Sequence, residues 1–325
     1  NKDYIYQNEN DKIAFHNQII TLPKDTGNYN LKLFKENLDF KFGRPKHSSK
    51  NSISFGFSGI LENYKIDLIS NVNETFESKI ILGDQKIKDT LYYWYKSLVE
   101  LDSLKFVVRN NNLIDTISVT LRNSNIDSLK IKPLQNNYIS FLDNVQFHAN
   151  TPFDKIDTTK ISLINKDSLN VDFEISLDTL QNNYSFNFKK EEEEEYKFQF
   201  LPGSFTDLYN TSNDTLNYSY KTKTYDDYGN LRLNLRNVNY PAIVQLTTKT
   251  GEVKYEKIIS STGNIDFKHV IPNKYYVRVI LDKNKNGKYD PGNYLGNSYS
   301  ERVSHLDEEL DIRAGWDLVQ EFILK

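Results

Sequence analysis

Apolar and polar residues alternate with a period of two along most of this chain, as expected of strands that bury one face. Leu231, Leu233 and Leu235 fall on one side of such a strand, and Arg232, Asn234 and Arg236 on the other. Tyr184, Phe186 and Phe188 alternate in the same way, as do Tyr196, Phe198 and Phe200. The charged stretch 189–195 separates these two runs, so they predict a β-hairpin with an acidic, solvated tip. Its consecutive glutamates, 191–195, repel one another, which favours an exposed loop over a cation site. Residues 89–104 place Leu91, Trp94, Tyr95, Leu98 and Leu101 at near-helical spacing, but the aromatics and the following Phe106-Val107-Val108 favour strands. Thr248-Lys249-Thr250-Gly251-Glu252 lies between two strand patterns and reads as a hairpin turn.

Short strands punctuated by Asn, Asp, Gly and Ser predict an all-β chain, an elongated serial array of sandwiches. Boundaries fall near Glu36, Asn123 and Lys223, giving segments 36–122, 123–223 and 224–325, each about the ~100 residues of an Ig-like domain. Residues 1–35 are too few for a sandwich. They echo the C-terminal segment in layout: Asn1-Lys2-Asp3-Tyr4-Ile5-Tyr6 lines up with Asn284-Lys285-Asn286-Gly287-Lys288-Tyr289. Asp11-Lys12-Ile13, a Pro/Asp/Thr/Gly turn and a strand over 29–34 then correspond to Glu301-Arg302-Val303 and strands over 309–312 and 319–324, a repeat weak in identity but coherent in layout. The expectation is that 1–35 is the C-terminal part of a truncated domain.

Composition narrows the function classes. With 38% hydrophobic residues and a mean hydropathy of -0.63 over 325 residues, no apolar run is long enough to cross a bilayer as a helix. A net charge of -3 with scattered Lys and Arg gives no basic face for nucleic acid. The absence of Cys removes disulfides, thiolate metal sites and Cys nucleophiles together. Met is absent even at position 1, and no signal sequence is visible, which fits a fragment. The 22 Tyr and 19 Phe again favour strands.

The strongest chemical motif is Asp282-Lys283-Asn284-Lys285-Asn286-Gly287-Lys288-Tyr289-Asp290. Alternate oxygen-bearing side chains allow a tight loop to turn Asp282, Asn284 and Asn286 towards one centre. Gly287 permits the turn, and the Lys288 carbonyl with Asp290 would complete a calcium shell. Tyr275, Val277, Val279 and Leu281 alternate with Tyr276, Arg278 and Ile280, so a strand precedes the loop and an EF-hand is not expected. With only Asp282 and Asp290 charged, and Asn293 where an EF-hand has its bidentate Glu, a weak structural Ca²⁺ site is expected. An Asn/Asp-rich turn satisfied by its own backbone hydrogen bonds is the competing reading.

Catalytic patterns are not found. The five His, at 16, 47, 148, 269 and 305, lie far apart without paired spacing. Lys249-Thr250-Gly251 has no Ser-x-x-Lys or Ser-Asp-Asn partner, and Gly56-Phe57-Ser58-Gly59 lacks the spacing of a nucleophile elbow. A glycosidase carboxylate pair needs two carboxyls ~5–9.5 Å apart across a cleft, which sequence cannot display. The expectation is a protein that is not an enzyme.

Several segments resemble the C-terminal module of Ig-like lipoproteins of Bacteroidota. They are Tyr228-Gly229-Asn230, Tyr240-Pro241-Ala242-Ile243-Val244-Gln245-Leu246, Tyr276-Val277-Arg278-Val279-Ile280, Gly292-Asn293-Tyr294-Leu295, Glu301-Arg302-Val303 and Arg313-Ala314-Gly315-Trp316-Asp317. Leu31 to Glu36 and the stretch from Leu201-Pro202-Gly203 to Asn213-Asp214-Thr215-Leu216-Asn217 match in the same order. The resemblance implies a truncated regulatory-type domain over 1–35, Ig-like sandwiches over 36–122 and 123–223, and a regulatory-type sandwich over 224–325. It also implies export, a lipid anchor on an upstream Cys, and an outer-membrane address on the cell surface or the periplasmic face. Some members are similar to accessory subunits of outer-membrane machines, so a non-enzymatic scaffold with outer-membrane protein partners, in barrel assembly or export, is expected. A glycan-binding or adhesive module is the alternative, because Trp94 and Trp316 could stack on sugars, although such rings more often fill cores. Asp followed by Ser or Thr recurs at Asp89, Asp102, Asp115, Asp127, Asp157, Asp167, Asp178 and Asp214. The pattern fits strand-initiating turns and resembles the O-glycan acceptor of exported Bacteroidota proteins.

Overall fold

A computed structural model describes residues 5–7, 11–21, 27–83, 89–122, 125, 127–261 and 263–324. The fold is all-β, with 25 strands in several small sheets and two single-turn 3-10 helices among the described residues. The chain divides into two compact units, one of residues 39–223 and one of residues 1–38 with 224–325. Residues 1–35, expected as the remnant of a separate domain, belong to the same unit as the C-terminal sandwich. The N-terminal half of the supposed repeat lies partly outside the described residues, at 1–4, as does its turn at 22–26 and the boundary at Asn123.

The unit 39–223 contains two sandwiches. The first uses β1 (Lys41–Phe42), β2 (Lys46–Ser49), β3 (Ser52–Ser58), β4 (Lys65–Leu68), β5 (Glu77–Leu82), β6 (Thr90–Lys96), β7 (Ser103–Asn110) and β8 (Leu113–Thr120). One sheet runs β1-β3-β6-β5 with β2 also on β3, and the facing sheet runs β4-β7-β8. Residues 89–104 are thus strand where helical spacing competed. Ile53, Phe55, Leu91, Tyr93, Leu104, Phe106 and Val108 fill the space between the sheets.

The second sandwich uses β9 (Ile131–Pro133), β10 (Val145–Ala149), β11 (Phe153–Ile156), β12 (Ile161–Ile164), β13 (Phe173–Asp178), β14 (Asn183–Phe188), β15 (Glu195–Phe200), β16 (Phe205–Asp207) and β17 (Leu216–Lys221). The sheet β13-β14-β10-β9 faces the sheet β12-β15-β17, with β11-β16 as a separate ribbon. β14 and β15 were expected to pair as a hairpin, and they do not. They lie in opposite sheets and meet through their rings: Phe186 and Phe198 at 5.3 Å, Phe188 and Tyr196 at 4.9 Å. Both runs are bulky on the same alternate positions, so each needs a buried face, and crossing the core supplies one to both. The charged connection is also less solvated than expected. Glu191, Glu192 and Glu193 are exposed, but Lys190 and Glu194 are buried. Lys190 Nζ donates to the Phe188 carbonyl at 3.1 Å above the Phe188 ring, and burial lowers its pKa. Glu194 accepts the Lys166 and Glu195 amides. Lys197 sits on the central strand β15 of its sheet.

The other unit holds β18 (Gly229–Arg236), β19 (Ala242–Thr247), β20 (Val253–Ile259), β21 (Asn264–Val270), β22 (Asn273–Leu281), β23 (Val303–His305), β24 (Leu310–Ile312) and β25 (Asp317–Ile323). The sheet β21-β18-β25, in which β18 and β25 are parallel, faces β20-β19-β22-β23, with β24 also on β22. Leu231 and Leu233 point into this core as the alternation predicts. Thr248 and Gly251 close the β19–β20 hairpin, Gly251 at φ 85°, through Gly251 N–H donating to the Thr248 carbonyl at 2.9 Å. Gly229 is required by close packing: a Cβ there would lie 2.5 Å from the Arg313 carbonyl.

β19 is buried along its whole length. Ala242, Val244 and Leu246 face the core, while Ile243, Gln245 and Thr247 point to the opposite face and are buried as well. The N-terminal segment lies on this outer side of the sandwich. Ile13 bridges Phe34 with two backbone hydrogen bonds of 2.9 Å. Phe15 stacks on Tyr299 at 4.8 Å, and Phe34, only 4% exposed, presses its ring edge where a Cβ on Gly292 would stand.

Phe147 contacts Phe186, Phe198, Phe200 and Tyr218 from the centre of the second sandwich. Phe147→Ala should therefore destabilise the 39–223 unit by about 3–5 kcal/mol. Leu169→Ala, at an exposed site, should change it by less than about 0.5 kcal/mol. Chemical denaturation of both variants checks the contrast.

Candidate functional site

β22 ends at Leu281, and the chain turns at once into the acidic-amide loop 282–290. Asp282 sits at its base, 2% exposed, with both carboxylate oxygens occupied. Oδ1 accepts the Asn286 amide at 3.1 Å and Oδ2 accepts the Gly287 amide at 2.8 Å. Gly287 has φ 73°, a left-handed conformation that glycine adopts without a Cβ penalty. Asn284 Oδ1 accepts Asn286 N–H at 3.2 Å, and Asn286 Oδ1 accepts Lys288 N–H at 2.8 Å, so each side chain organises the backbone two residues on. Asn284 Nδ2 and Asn286 Nδ2 both donate to Asp290 Oδ2, at 2.7 and 2.8 Å. Four of the five expected ligand residues thus interact directly with one another, and Lys288 joins them through its backbone amide.

One carboxylate at the loop escaped sequence reasoning. Glu301 Oε1 accepts the Lys283 amide at 2.7 Å, and Oε2 accepts the Asp290 amide at 3.1 Å, tying both ends of the loop together. No spacing rule reaches it, since it stands 11 residues beyond Asp290, after the turn through Asn293 and Gly296.

The donor set of carboxylate and amide oxygens has the chemistry of a hard cation site. In this structure its negative charges are met by N–H groups, and two amide N–H groups stand against Asp290 where a cation would supply the positive charge. Among the described residues, no three His, Asp or Glu side chains converge closely enough to hold a metal ion. An open cleft of about 1110 Å³ borders the loop, reaching Tyr240, Pro241, Tyr299 and Arg302.

The other candidate residues are dispersed. Trp94 is 7% exposed and packs with Ile81, Leu208 and Tyr209 between the two sandwiches of the 39–223 unit. Trp316 is 56% exposed, contrary to the expectation of core packing, with the Arg313 guanidinium 5.1 Å from its ring. It follows Gly315 (φ 69°) in the turn before the parallel edge strand β25, ahead of the residues of that strand, Leu318 and Phe322, that face the core. His269 stacks on Tyr225 at 5.2 Å, and partial burial, then Lys268, lowers its pKa. His148 bonds locally around 181–183. Of the Asp-Ser/Thr pairs, Asp157 and Asp178 accept backbone N–H groups within their own turns, as strand-initiating turns require. Ser103, Thr116, Ser128, Thr158, Ser168, Thr179 and Thr215 are exposed.

No protein-family model matches the chain. No curated protein matches it either. Among solved structures, domains 5–6 of the S-layer protein SbsC align at 11% identity and a TM-score of 0.24, covering 57% of this chain and 100% of that one. An I-band fragment of titin aligns at 10% identity and a TM-score of 0.18, covering 87% and 98%. The N-terminal four Ig domains of Dscam1 isoform 6.9 align at 10% identity and a TM-score of 0.20, covering 89% and 79%. These are distant likenesses to tandem β-domains.

A calcium loop with so few carboxylates should bind in the weak extracellular range, Kd ~10⁻⁴–10⁻³ M. At tenfold excess over Kd, calcium should stabilise the fold by about 1.4 kcal/mol. Asp290→Asn keeps the side-chain size, removes a charge and should abolish that rise. Asp282→Ala should abolish it too and also lower the melting temperature in chelator, because two amides lose their acceptor. Identical melting curves for the unmutated chain in chelator and in millimolar calcium would rule the ion out.

Proposed function

We propose that the chain is a non-enzymatic scaffold or accessory subunit of an outer-membrane protein complex, held to the membrane by a lipid anchor upstream. The resemblance to Bacteroidota Ig-like lipoproteins motivates the address and the partners. The observation that carries the scaffold reading is the joint between the sandwiches of the 39–223 unit. Trp94, Ile81 and Leu208 form a small core of their own there. Tyr209 Oη donates towards the Asn51 and Tyr95 carbonyls at 3.4 and 3.3 Å. Lys79 Nζ pairs with Asp154 and bonds the Phe153 carbonyl, both at 2.8 Å, and the Leu82 amide bonds the Leu180 carbonyl at 2.8 Å. A joint with its own apolar core and hydrogen bonds restrains two domains more than a bare linker would, which suits a spacer or platform. The calcium loop, on this reading, pins the connection between β22 and β23 and is structural. O-glycans on exposed Asp-Ser/Thr pairs are compatible with it.

A glycan-binding or adhesive module is the second reading, and exposed Trp316 beside Arg313 is what favours it. Native pull-down from membranes separates the two. Stoichiometric recovery with an outer-membrane barrel protein supports the scaffold, whereas glycan-array binding that Trp316→Ala abolishes, without a protein partner, supports adhesion.

The joint has a pH signature. Burial pushes the Tyr95 phenol up to about 12, and burial with the neighbouring Asp207 carboxylate raises Tyr209 as well. A phenol with a folded pKa above its unfolded value of about 10 stabilises the fold fully below pH ~10 and loses that contribution as pH climbs towards the folded value. The melting temperature should therefore fall between pH ~10 and ~12. Tyr209→Phe should cost about 1 kcal/mol at neutral pH and make the alkaline fall shallower.

A further inference from the structure

We propose that the cleft between the N-terminal segment and the outer face of the β19–β22–β23 sheet binds an acidic polysaccharide. This goes beyond the scaffold reading and does not involve Trp316. The cleft has a volume of about 640 Å³, within the usual range for ligand sites of ~300–1,000 Å³. One wall is the segment carrying Lys12, Lys32 and Lys35, and the other is the sheet carrying Arg278 and Arg302. These five cations face the cleft together with one carboxylate, Glu301, although the whole chain has a net charge of -3. Glu301 is already engaged by the Lys283 and Asp290 amides. Among the described residues, no ion pair neutralises Lys12, Lys32, Lys35 or Arg302.

The sheet wall is built to hold its cation in place. Glu256, Gln245, Arg278 and His305 stand opposite one another on four successive strands, in direct cross-strand register. Gln245, 7% exposed, donates its amide N–H to Glu256 and accepts from Arg278 Nε. That relay uses the Nε of the guanidinium and leaves the remaining donors of its planar fork for a ligand. Bringing like charges to one concave surface is unfavourable by itself and becomes favourable when an anion enters, and concave walls focus the field that draws it in.

Several features select an extended ligand over a single small anion. The cations are spread over both walls of an open cleft, so one small ion cannot reach them all. Carboxylates or sulfates repeating along a sugar chain present charge at intervals. Tyr289, 41% exposed at the rim, offers a ring face for a pyranose.

The test measures binding of the full chain to polygalacturonate and dextran sulfate, with neutral dextran as control, at low and physiological salt. Binding to both acidic polymers but not to dextran is expected, weakening as salt rises. Lys32→Gln with Lys35→Gln should lose roughly 2- to 5-fold in affinity per charge removed, the range of exposed ion pairs, and Arg278→Gln should lose at least as much. Both variants should melt within a few degrees of the parent, and Lys189→Gln, in the other unit, should bind as the parent does. Unchanged affinity in the Lys32/Lys35 and Arg278 variants overturns the assignment. So does absence of binding at low salt. Binding confined to anionic lipid vesicles, or equally strong binding of inorganic phosphate, would assign the cleft to a membrane surface or a small ion and overturn it equally.

Discussion

With no cysteine available, nothing covalent can tie one sheet of a sandwich to the other, so the sheets are held together by the side chains between them. In the second sandwich those are overwhelmingly rings: Phe147, Phe186, Phe188, Phe198, Phe200 and Phe205 with Tyr184, Tyr196 and Tyr220. Their edge-to-face contacts, at centroid distances such as 4.8 Å for Phe147 and Phe200, are the geometry in which aromatic quadrupoles attract. The same use of large rings extends to the joint, where Trp94 and Tyr209 approach at 6.4 Å. At the joint the rings share the work with Ile81, Leu208, the Lys79–Asp154 pair and the Leu82–Leu180 backbone hydrogen bond.

The other unit solves a different problem. A strand hydrophobic on alternate positions needs one covered face, but β19 carries Ile243, Gln245 and Thr247 on its second face, and all are buried. The N-terminal segment lies on that side, secured by Phe15 on Tyr299 and by Phe34 in the space left by Gly292. Both anchors, Gly292 and Tyr299, lie just beyond the Asn/Asp loop. Glu36 also accepts the Tyr294 amide. Order in the loop and attachment of the segment are therefore physically connected, and the cationic cleft exists only while the segment is in place.

Periodicity made the strands legible, and turn chemistry made the Thr248–Glu252 hairpin legible, because both are local. Which strand faces which was not. Two alternating aromatic runs with a charged connection look identical whether they pair within a sheet, as expected of Tyr184 to Phe200, or cross the core, as they do. The exposure of Trp316 was hidden because it has the same alternation as the inward Leu318 and Phe322 but lies in the turn before β25, and alternation alone does not fix where a strand begins. At the loop, the donors within nine residues could be read directly, whereas Glu301 arrives from a separate stretch of chain. The cleft was beyond reach altogether, because Lys12, Lys32 and Arg278 are brought together only by tertiary structure.

The two sandwiches of residues 39–223 meet through the small apolar cluster of Trp94, Ile81 and Leu208 and the hydrogen bonds around it, and the scaffold reading requires that this joint couple them. Scanning calorimetry of that unit measures it directly. One cooperative transition, with calorimetric and van't Hoff enthalpies equal, is expected if the joint couples the cores. Two separate transitions, with Trp94→Ala leaving both in place, would mean that the joint holds nothing and that the sandwiches are independent beads on a chain.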